Sequence, residues 1–249
     1  MFSGAKIYEL ALKEENNFLP DLAKVPSSIR NKAKIIYLNY PNNPTTALAS
    51  LSFLKELIKF CSKYGIILVY DNAYSEIYFA EKPRSVLEIK AAKEVALEFH
   101  SFSKTFCMTG FRIGWVSGNS DLIEGLIKVK TNVDSGIFGA IQEASIAAIE
   151  QCSDFPKNLR RIIKERRDLF VEILKDSGYR GIYADSTFYV WTKIPSRFKS
   201  SLEFSKHLLK EKNIVATPGV GFGKFGEGFI RFSLTVDKKI IARTSKLLG

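Results

Sequence analysis

Three short apolar runs, each ending in polar residues of complementary chemistry, constrain this chain more than any other feature. The runs are IIYLN at 35–39, IILVY at 66–70 and VALEFH at 95–100. A helix-period segment at 51–64 separates the first two, with Leu54, Leu57, Ile58 and Cys61 on one face and Gly65 as its stop. A short helical stretch near 86–92 precedes the third. Apolar strands alternating with helices predict an α/β domain with a largely parallel sheet, in which IILVY is apolar enough to be buried on both faces. A fourth run, FRIGWVS at 111–117, follows after about ten residues, too few for a helical crossover, so it is expected antiparallel to the third.

In open α/β sheets ligands gather beyond the carboxyl ends of the strands. Here the first run continues into NYPNNPT (39–45), the second into DNAY (71–74) and the third into HSFSK (100–104). An amide, a carboxylate with a phenol, and a lysine are therefore directed toward one point. Taken singly, each has a plainer reading: Asn-Pro marks a turn, an Asp after a strand caps a helix, and a Ser-Lys pair lies on the surface. Together, in this order, they match what pyridoxal phosphate needs. That cofactor takes a lysine for a Schiff base, an acid to keep its pyridine nitrogen protonated, donors at its ring hydroxyl, and cations and hydroxyls for its phosphate. An unpaired Asp at the end of so apolar a strand is costly to bury, so a cationic partner is expected, and a pyridinium supplies one.

The second half of the chain changes character. Segments 122–130, 137–150 and 158–176 read as helices, the last long and charged, with apolar positions at Ile162, Ile163, Leu169, Phe170, Ile173 and Leu174. A smaller α+β unit follows, with strands at 187–192, 214–217 and 229–235 between helices at 202–210 and 237–248. The expected boundary falls near residue 155, giving units 1–155 and 156–249.

Composition narrows the function classes. With 46% apolar and 25% charged residues in 249, disorder and fibrous architectures are excluded. No apolar run reaches the ~18 residues of a membrane helix, and MFSGAKIYEL lacks the build of a signal peptide, so a cytoplasmic protein without membrane association is expected. The formal charge of +11 permits nucleic acid, an anionic membrane surface or an anionic ligand. The basic residues are scattered, however. The densest group, Arg160, Arg161, Lys164, Arg166 and Arg167, reads as a solvated helix face, and no nucleic-acid-binding signature accompanies it. Cys61, Cys107 and Cys152 form no CxxC, and with His100 and His207 they give no zinc pattern, so a reducing compartment and no metal are expected.

The segments NYPNNPT, VYDNAYSEIYF, EFHSFSKTFCMTGFRIGW and PGVGFGKFGEGFIRFS resemble, in order and spacing, the class I/II aminotransferases of PLP fold type I. Their particular wording is most like the LL-diaminopimelate aminotransferases among them. The resemblance implies an α/β three-layer PLP-transferase large domain, incomplete at its N-terminus, followed by a small α+β domain. It implies that Lys104 forms the Schiff base with pyridoxal 5'-phosphate and shuttles a proton between substrate and cofactor. Asp71 would pair with the pyridinium, Asn43 and Tyr74 would bond the ring hydroxyl, and Ser101, Ser103 and Arg112 would hold the phosphate. Arg231 would clamp the substrate α-carboxylate, with Asn43 beside it, and Asn132 would make a substrate-side or partner-subunit contact. The implied reaction moves an amino group between an amino acid and a 2-oxo acid, with LL-diaminopimelate and 2-oxoglutarate first and aspartate or a broader range second. The implied assembly is a homodimer.

Two features depart from the family, and one motif is a decoy. Thr46 stands where relatives usually have glycine. The segment Gly221–Gly226 satisfies G-x-G-x-x-G but precedes a strand, so it reads as a flexible loop beside the site rather than a dinucleotide fingerprint; Phe188, Tyr189 and Trp191 likewise read as small-domain core. The family's phosphate-cupping turn, an aromatic that stacks on the ring and a tyrosine offered to the neighbouring subunit have no counterpart before Asn39. An N-terminal polypeptide supplying these is therefore one expectation, and an exposed apolar sheet edge another. An inactive remnant acting as a binding module is the alternative, and a basic nucleic-acid-binding domain ranks last.

Overall fold

A computed structural model describes residues 4–248, which hold two four-stranded sheets. In chain order the helices are α1 (Ser27–Arg30), α2 (Leu51–Tyr64), α3 (Ala92–Val95), α4 (Phe102–Thr105), α5 (Ser120–Val133), α6 (Gly139–Gln151), α7 (Phe155–Asp176), α8 (Ser201–Lys212), α9 (Lys238–Arg243) and α10 (Ser245–Leu248). The strands are β1 (Ile35–Asn39), β2 (Ile67–Asp71), β3 (Ala96–Ser101), β4 (Gly114–Gly118), β5 (Ile182–Tyr183), β6 (Tyr189–Lys193), β7 (Thr217–Pro218) and β8 (Phe229–Ser233).

The first sheet has the order β1-β2-β3-β4, with β1, β2 and β3 parallel and β4 antiparallel to β3, as its short connection requires. β4 is shorter than its apolar run because Arg112 turns left-handed, at φ 54°, and ends the preceding 3-10 turn. Gly114 lets β4 approach closely: a Cβ there would lie 2.4 Å from the His100 carbonyl oxygen.

Helix α2 begins where Ser50 Oγ accepts from the Phe53 N–H and ends at Gly65, whose φ of 62° suits a residue without Cβ. It buries Phe53, Leu54, Leu57, Ile58 and Cys61 against Leu38, Leu68 and Tyr70. The expectation that β2 is buried on both faces does not hold. Leu68 and Tyr70 face α2 and are buried, whereas Ile67 and Val69, on the alternate face, are half-exposed. At the sheet edge, Ile35 and Tyr37 of β1 stand 60% and 63% exposed on that same side.

The second sheet, order β5-β6-β8-β7, is antiparallel throughout. Apolar residues of α7 (Ile163, Phe170, Ile173, Leu174) and α8 (Phe204, Leu208) pack on Val190, Ile230 and Phe232. The expected strand at 214–217 reduces to Thr217–Pro218, because only these two residues pair with β8 before the 3-10 turn at Gly219, and the terminal helix divides into α9 and α10.

The two sheets share side chains. Tyr74 and Ile77, which follow β2, join the second core, and Trp191 of β6 joins the first. Phe18 meets Tyr183 and Phe229 edge-on at ring separations of 4.8 and 6.0 Å, and its carbonyl accepts from Tyr40 Oη at 2.7 Å.

The basic cluster of α7 mainly ties loops to the helix. Arg160 Nη1 donates to the Glu76 carbonyl at 2.9 Å and lies 4.2 Å over the Tyr78 ring. Arg166 and Arg167 donate to the carbonyls of Leu234 and Ala184. Arg161 and Lys164 make exposed pairs with Glu165 and Asp168, one turn on. No described helix is long and apolar enough to cross a membrane, and no group of three His, Cys, Asp or Glu that could hold a metal occurs among the described residues.

Candidate functional site

Strand register puts the first polar groups together. Asn39 and Asp71 end β1 and β2 directly opposite each other. Asn39 Nδ2 donates to the Asp71 carbonyl at 2.9 Å, and Asn39 Oδ1 accepts from the Asn43 N–H at 2.9 Å, which fixes the turn carrying Asn43. The Asp71 carboxylate is half-buried. Its Oδ1 accepts from the Ala73 N–H at 3.1 Å, and its Oδ2 accepts from Tyr37 Oη at 3.3 Å. No cation pairs with Asp71 among the described residues, so the carboxylate can take a cationic N–H from a ligand.

Tyr74 is buried among Phe188 and Tyr189. Burial, then its hydrogen bond to Tyr189, raises the Tyr74 pKa well above the ordinary phenol value. It therefore remains a phenol, able to donate, throughout the physiological range.

Lys104 sits in α4, whose first turn is capped by Ser101 Oγ accepting from the Ser103 N–H at 3.2 Å. The Lys104 ammonium lies 5.5 Å from the Tyr74 ring centre and 5.3 Å from that of Phe188. It makes no ion pair with a described carboxylate, so its amine is available to an aldehyde. Ser103 is buried, and its carbonyl accepts from Thr109 Oγ1 at 3.3 Å. Arg112 is exposed, and its Nη1 donates to the Thr109 carbonyl at 3.0 Å. Its other N–H groups make no hydrogen bond among the described residues.

Arg231, on β8, reaches across from the second sheet. Its Nη1 donates to Asn43 Oδ1 at 2.7 Å and its Nη2 to Thr217 Oγ1 at 3.3 Å. Its Nε is buried without a partner among the described residues. The guanidinium lies 4.0 Å from the Tyr189 ring and 4.6 Å from the Phe222 ring. Burial lowers its pKa, and no carboxylate among the described residues offsets that burial, so the group is poised for an incoming anion.

The structure thus brings together Asn43 with Arg231, Lys104 with Tyr74, and Ser101 with Ser103. It does not bring Asn132 to them. That side chain is exposed on α5, donating to the Lys128 carbonyl one turn back at 2.7 Å. Trp191 is buried, but in the first core rather than the small-domain core expected of it, and Phe188 and Tyr189, which pack on the second core, also face Lys104 and Arg231. A cavity of about 200 Å³ lined by residues including Tyr8, Glu9, Lys13 and Phe225 lies elsewhere and contains none of these side chains.

Sequence reasoning missed Tyr37, Thr217 and Phe222 at the site, and Glu98 beneath it. Tyr37 precedes Asn39 by two residues and shares its face, a signal present in the strand alternation. Glu98 is 1% exposed and accepts from Asn72 Nδ2, Ser85 Oγ and the Val86 N–H at 2.8–2.9 Å, with His100 Nε2 at 2.8 Å. A carboxylate inside an apolar run was the available signal, because a buried charge must be hydrogen-bonded.

A family model described as aminotransferase class I and II matches residues 2–244. LL-diaminopimelate aminotransferase of Aquifex aeolicus (strain VF5) is 50% identical over 237 residues, 95% of this chain and 61% of that protein. The same-named protein of Natranaerobius thermophilus is 46% identical over 96% of this chain and 62% of its own length. Among solved structures, substrate-bound BacF from Bacillus subtilis superposes with a TM-score of 0.93 at 38% identity, over 99% of this chain and 64% of that one. A mutant aspartate aminotransferase of Thermus thermophilus does so with a TM-score of 0.91 at 25% identity, over 98% and 64%. This chain therefore spans less than two thirds of the length of these relatives.

Proposed function

Because the chain belongs to the class I and II aminotransferase family, we propose that it serves in moving an amino group between an amino acid and a 2-oxo acid with bound pyridoxal phosphate. One observation carries this reading. Arg231 and Asn43, 188 residues apart, meet at 2.7 Å, while Lys104 lies against Tyr74 and pairs with no carboxylate among the described residues. A carboxylate-binding fork and a free amine thus share one site.

The donor set fits the cofactor. Lys104 offers the amine, Asp71 Oδ2 a partner for a protonated ring nitrogen, and Tyr74 with Asn43 donors for a ring hydroxyl. Ser101, Ser103 and Arg112 would hold its phosphate: Ser101 Oγ accepts only one N–H, which leaves its proton free to donate, and Arg112 keeps unengaged N–H groups. When bound, pyridoxal phosphate supplies an electron sink for carbanion chemistry at the substrate Cα. This chain's own groups do the rest. Arg231 binds and orients the α-carboxylate by a planar two-point contact, and Asn43 fixes the guanidinium plane. Lys104 would carry the proton, taking it from the substrate Cα and delivering it to cofactor C4′.

The two named relatives above point to LL-diaminopimelate as the amino donor. The site is proposed to lie between a unit ending near residue 155 and the unit after it, each built on its own sheet, and the protein to act as a homodimer. The test is absorption spectroscopy of the purified chain with pyridoxal phosphate. A new band is expected that Lys104→Ala abolishes and that LL-diaminopimelate bleaches at lower concentration than aspartate. A chain that binds no cofactor under these conditions contradicts the reading, and equal response to both amino acids contradicts the substrate assignment.

A further inference from the structure

The loop Gly219–Gly226 has no assigned role in this reaction, yet it is firmly built. A Cβ on Gly219 would lie 1.9 Å from the Gly226 carbonyl oxygen, and one on Gly226 would lie 2.2 Å from that of Gly219, so the two arms of the loop touch backbone to backbone. The Val220 N–H donates to Ser201 Oγ, and Ser201 is held in turn by both carboxylate oxygens of Glu227. Lys224 pairs with Glu9 at 3.3 Å. The expectation of a flexible loop gives way to a braced one.

The bracing delivers one side chain. Phe222 meets the buried indole of Trp191 edge-on at 6.0 Å and lies with its ring centre 4.6 Å from the Arg231 guanidinium carbon, while Tyr189 lies 4.0 Å from it. A half-buried guanidinium without a carboxylate is normally unstable in place. Two aromatic contacts offset part of that cost without consuming the N–H fork, which an ion pair would occupy.

We infer that Phe222 is a positioning residue for carboxylate recognition: with Tyr189 it holds Arg231 by aromatic contact and leaves for a substrate carboxylate the N–H groups of Nη1 and Nη2 not given to Asn43 and Thr217. The inference rests on the reading of Arg231 as the carboxylate group, and deepens it by assigning the glycine loop a function. It also accounts for the glycines. Gly219 and Gly226 allow the backbone contact that fixes where Phe222 stands.

The test needs no cofactor. Phenylglyoxal modifies accessible guanidinium groups, and the extent at Arg231 is read by mass spectrometry relative to exposed Arg243 in the same molecule. In the unaltered chain Arg231 reacts slowly and maleate, a dicarboxylate, protects it. In Phe222→Ala, modification of Arg231 relative to Arg243 accelerates, and the maleate concentration giving half-protection rises about tenfold. Phe222→Tyr restores both values, while Phe222→Leu, which fills volume without a π face, does not. A purely structural role would lower the melting temperature without this selective change at Arg231. If Phe222→Ala leaves rate and half-protection unchanged while maleate protects the unaltered chain, the role of Phe222 is overturned and the carboxylate reading stands. If maleate protects nothing in the unaltered chain, the carboxylate reading fails and the inference falls with it.

Discussion

Thr46 is a buried threonine with a left-handed φ of 64°, at a position where the family resemblance implies glycine. Its conformation explains that preference, since a Cβ in this region is strained by about 1–2 kcal/mol. Its side chain offers compensation, since Oγ1 accepts from the Asp185 N–H at 3.3 Å; the backbone carbonyl accepts from Ser186 Oγ at 2.7 Å whatever side chain stands there. Two substitutions separate these effects. Thr46→Ala keeps the strain and loses the hydrogen bond, whereas Thr46→Gly loses the bond but relieves the strain. Urea denaturation should find the glycine variant about 1 kcal/mol more stable than the alanine variant, the reverse of the usual order. An alanine variant as stable as the glycine variant would show that the strain is absent.

At the scale of elements, Glu98 joins the ends of β2 and β3 to the segment Ser85–Glu88. Burial alone would raise its pKa, but hydrogen bonds from His100, Asn72 and Ser85 outweigh that and hold it below the ordinary value of 4.5. The sign follows from linkage. The folded chain binds fewer protons than the unfolded one as pH falls below about 4.5, so this stabilisation is present above that value and lost as pH falls through the lower folded pKa. Glu98→Gln should cost about 2 kcal/mol at neutral pH and flatten the acid limb of the stability profile. A variant whose acid limb keeps its full slope would remove Glu98 from this role. Helix α7 makes an analogous connection through Arg160. Arg160→Ala should cost about 1–2 kcal/mol by chemical denaturation, through the lost carbonyl bond to Glu76 and the lost contact with Tyr78. Arg161→Ala, on the exposed face, should cost a few tenths.

For the whole molecule, the interlocking of the two cores governs unfolding. Phe18 meets β5 and β8, Trp191 joins the first core, and Tyr74 joins the second. A single transition is therefore expected, with near- and far-ultraviolet circular dichroism coinciding, and Phe18→Ala should lower it by about 3 kcal/mol without splitting it. Two resolved transitions would mean that the sheets are energetically independent. Much of this architecture was legible beforehand. The apolar runs placed β1, β2 and β3 and the short connection set the direction of β4, because strand pattern and connection length are local properties of the chain; the strand ends offered Asn43, Asp71, Tyr74 and Lys104 as candidates, whereas Arg231 came from the family resemblance. Other features were not legible. Phe188 and Tyr189 were expected only in the core and face Lys104 and Arg231, and the glycine loop was expected to be flexible and is braced. Each depends on which surfaces meet across long sequence separations. The local sequence determined the strands, their polar ends and the kinds of group they carry. Only the tertiary structure decided that Arg231 reaches Asn43 between two aromatic rings, since that contact exists only when the second sheet packs against the end of the first.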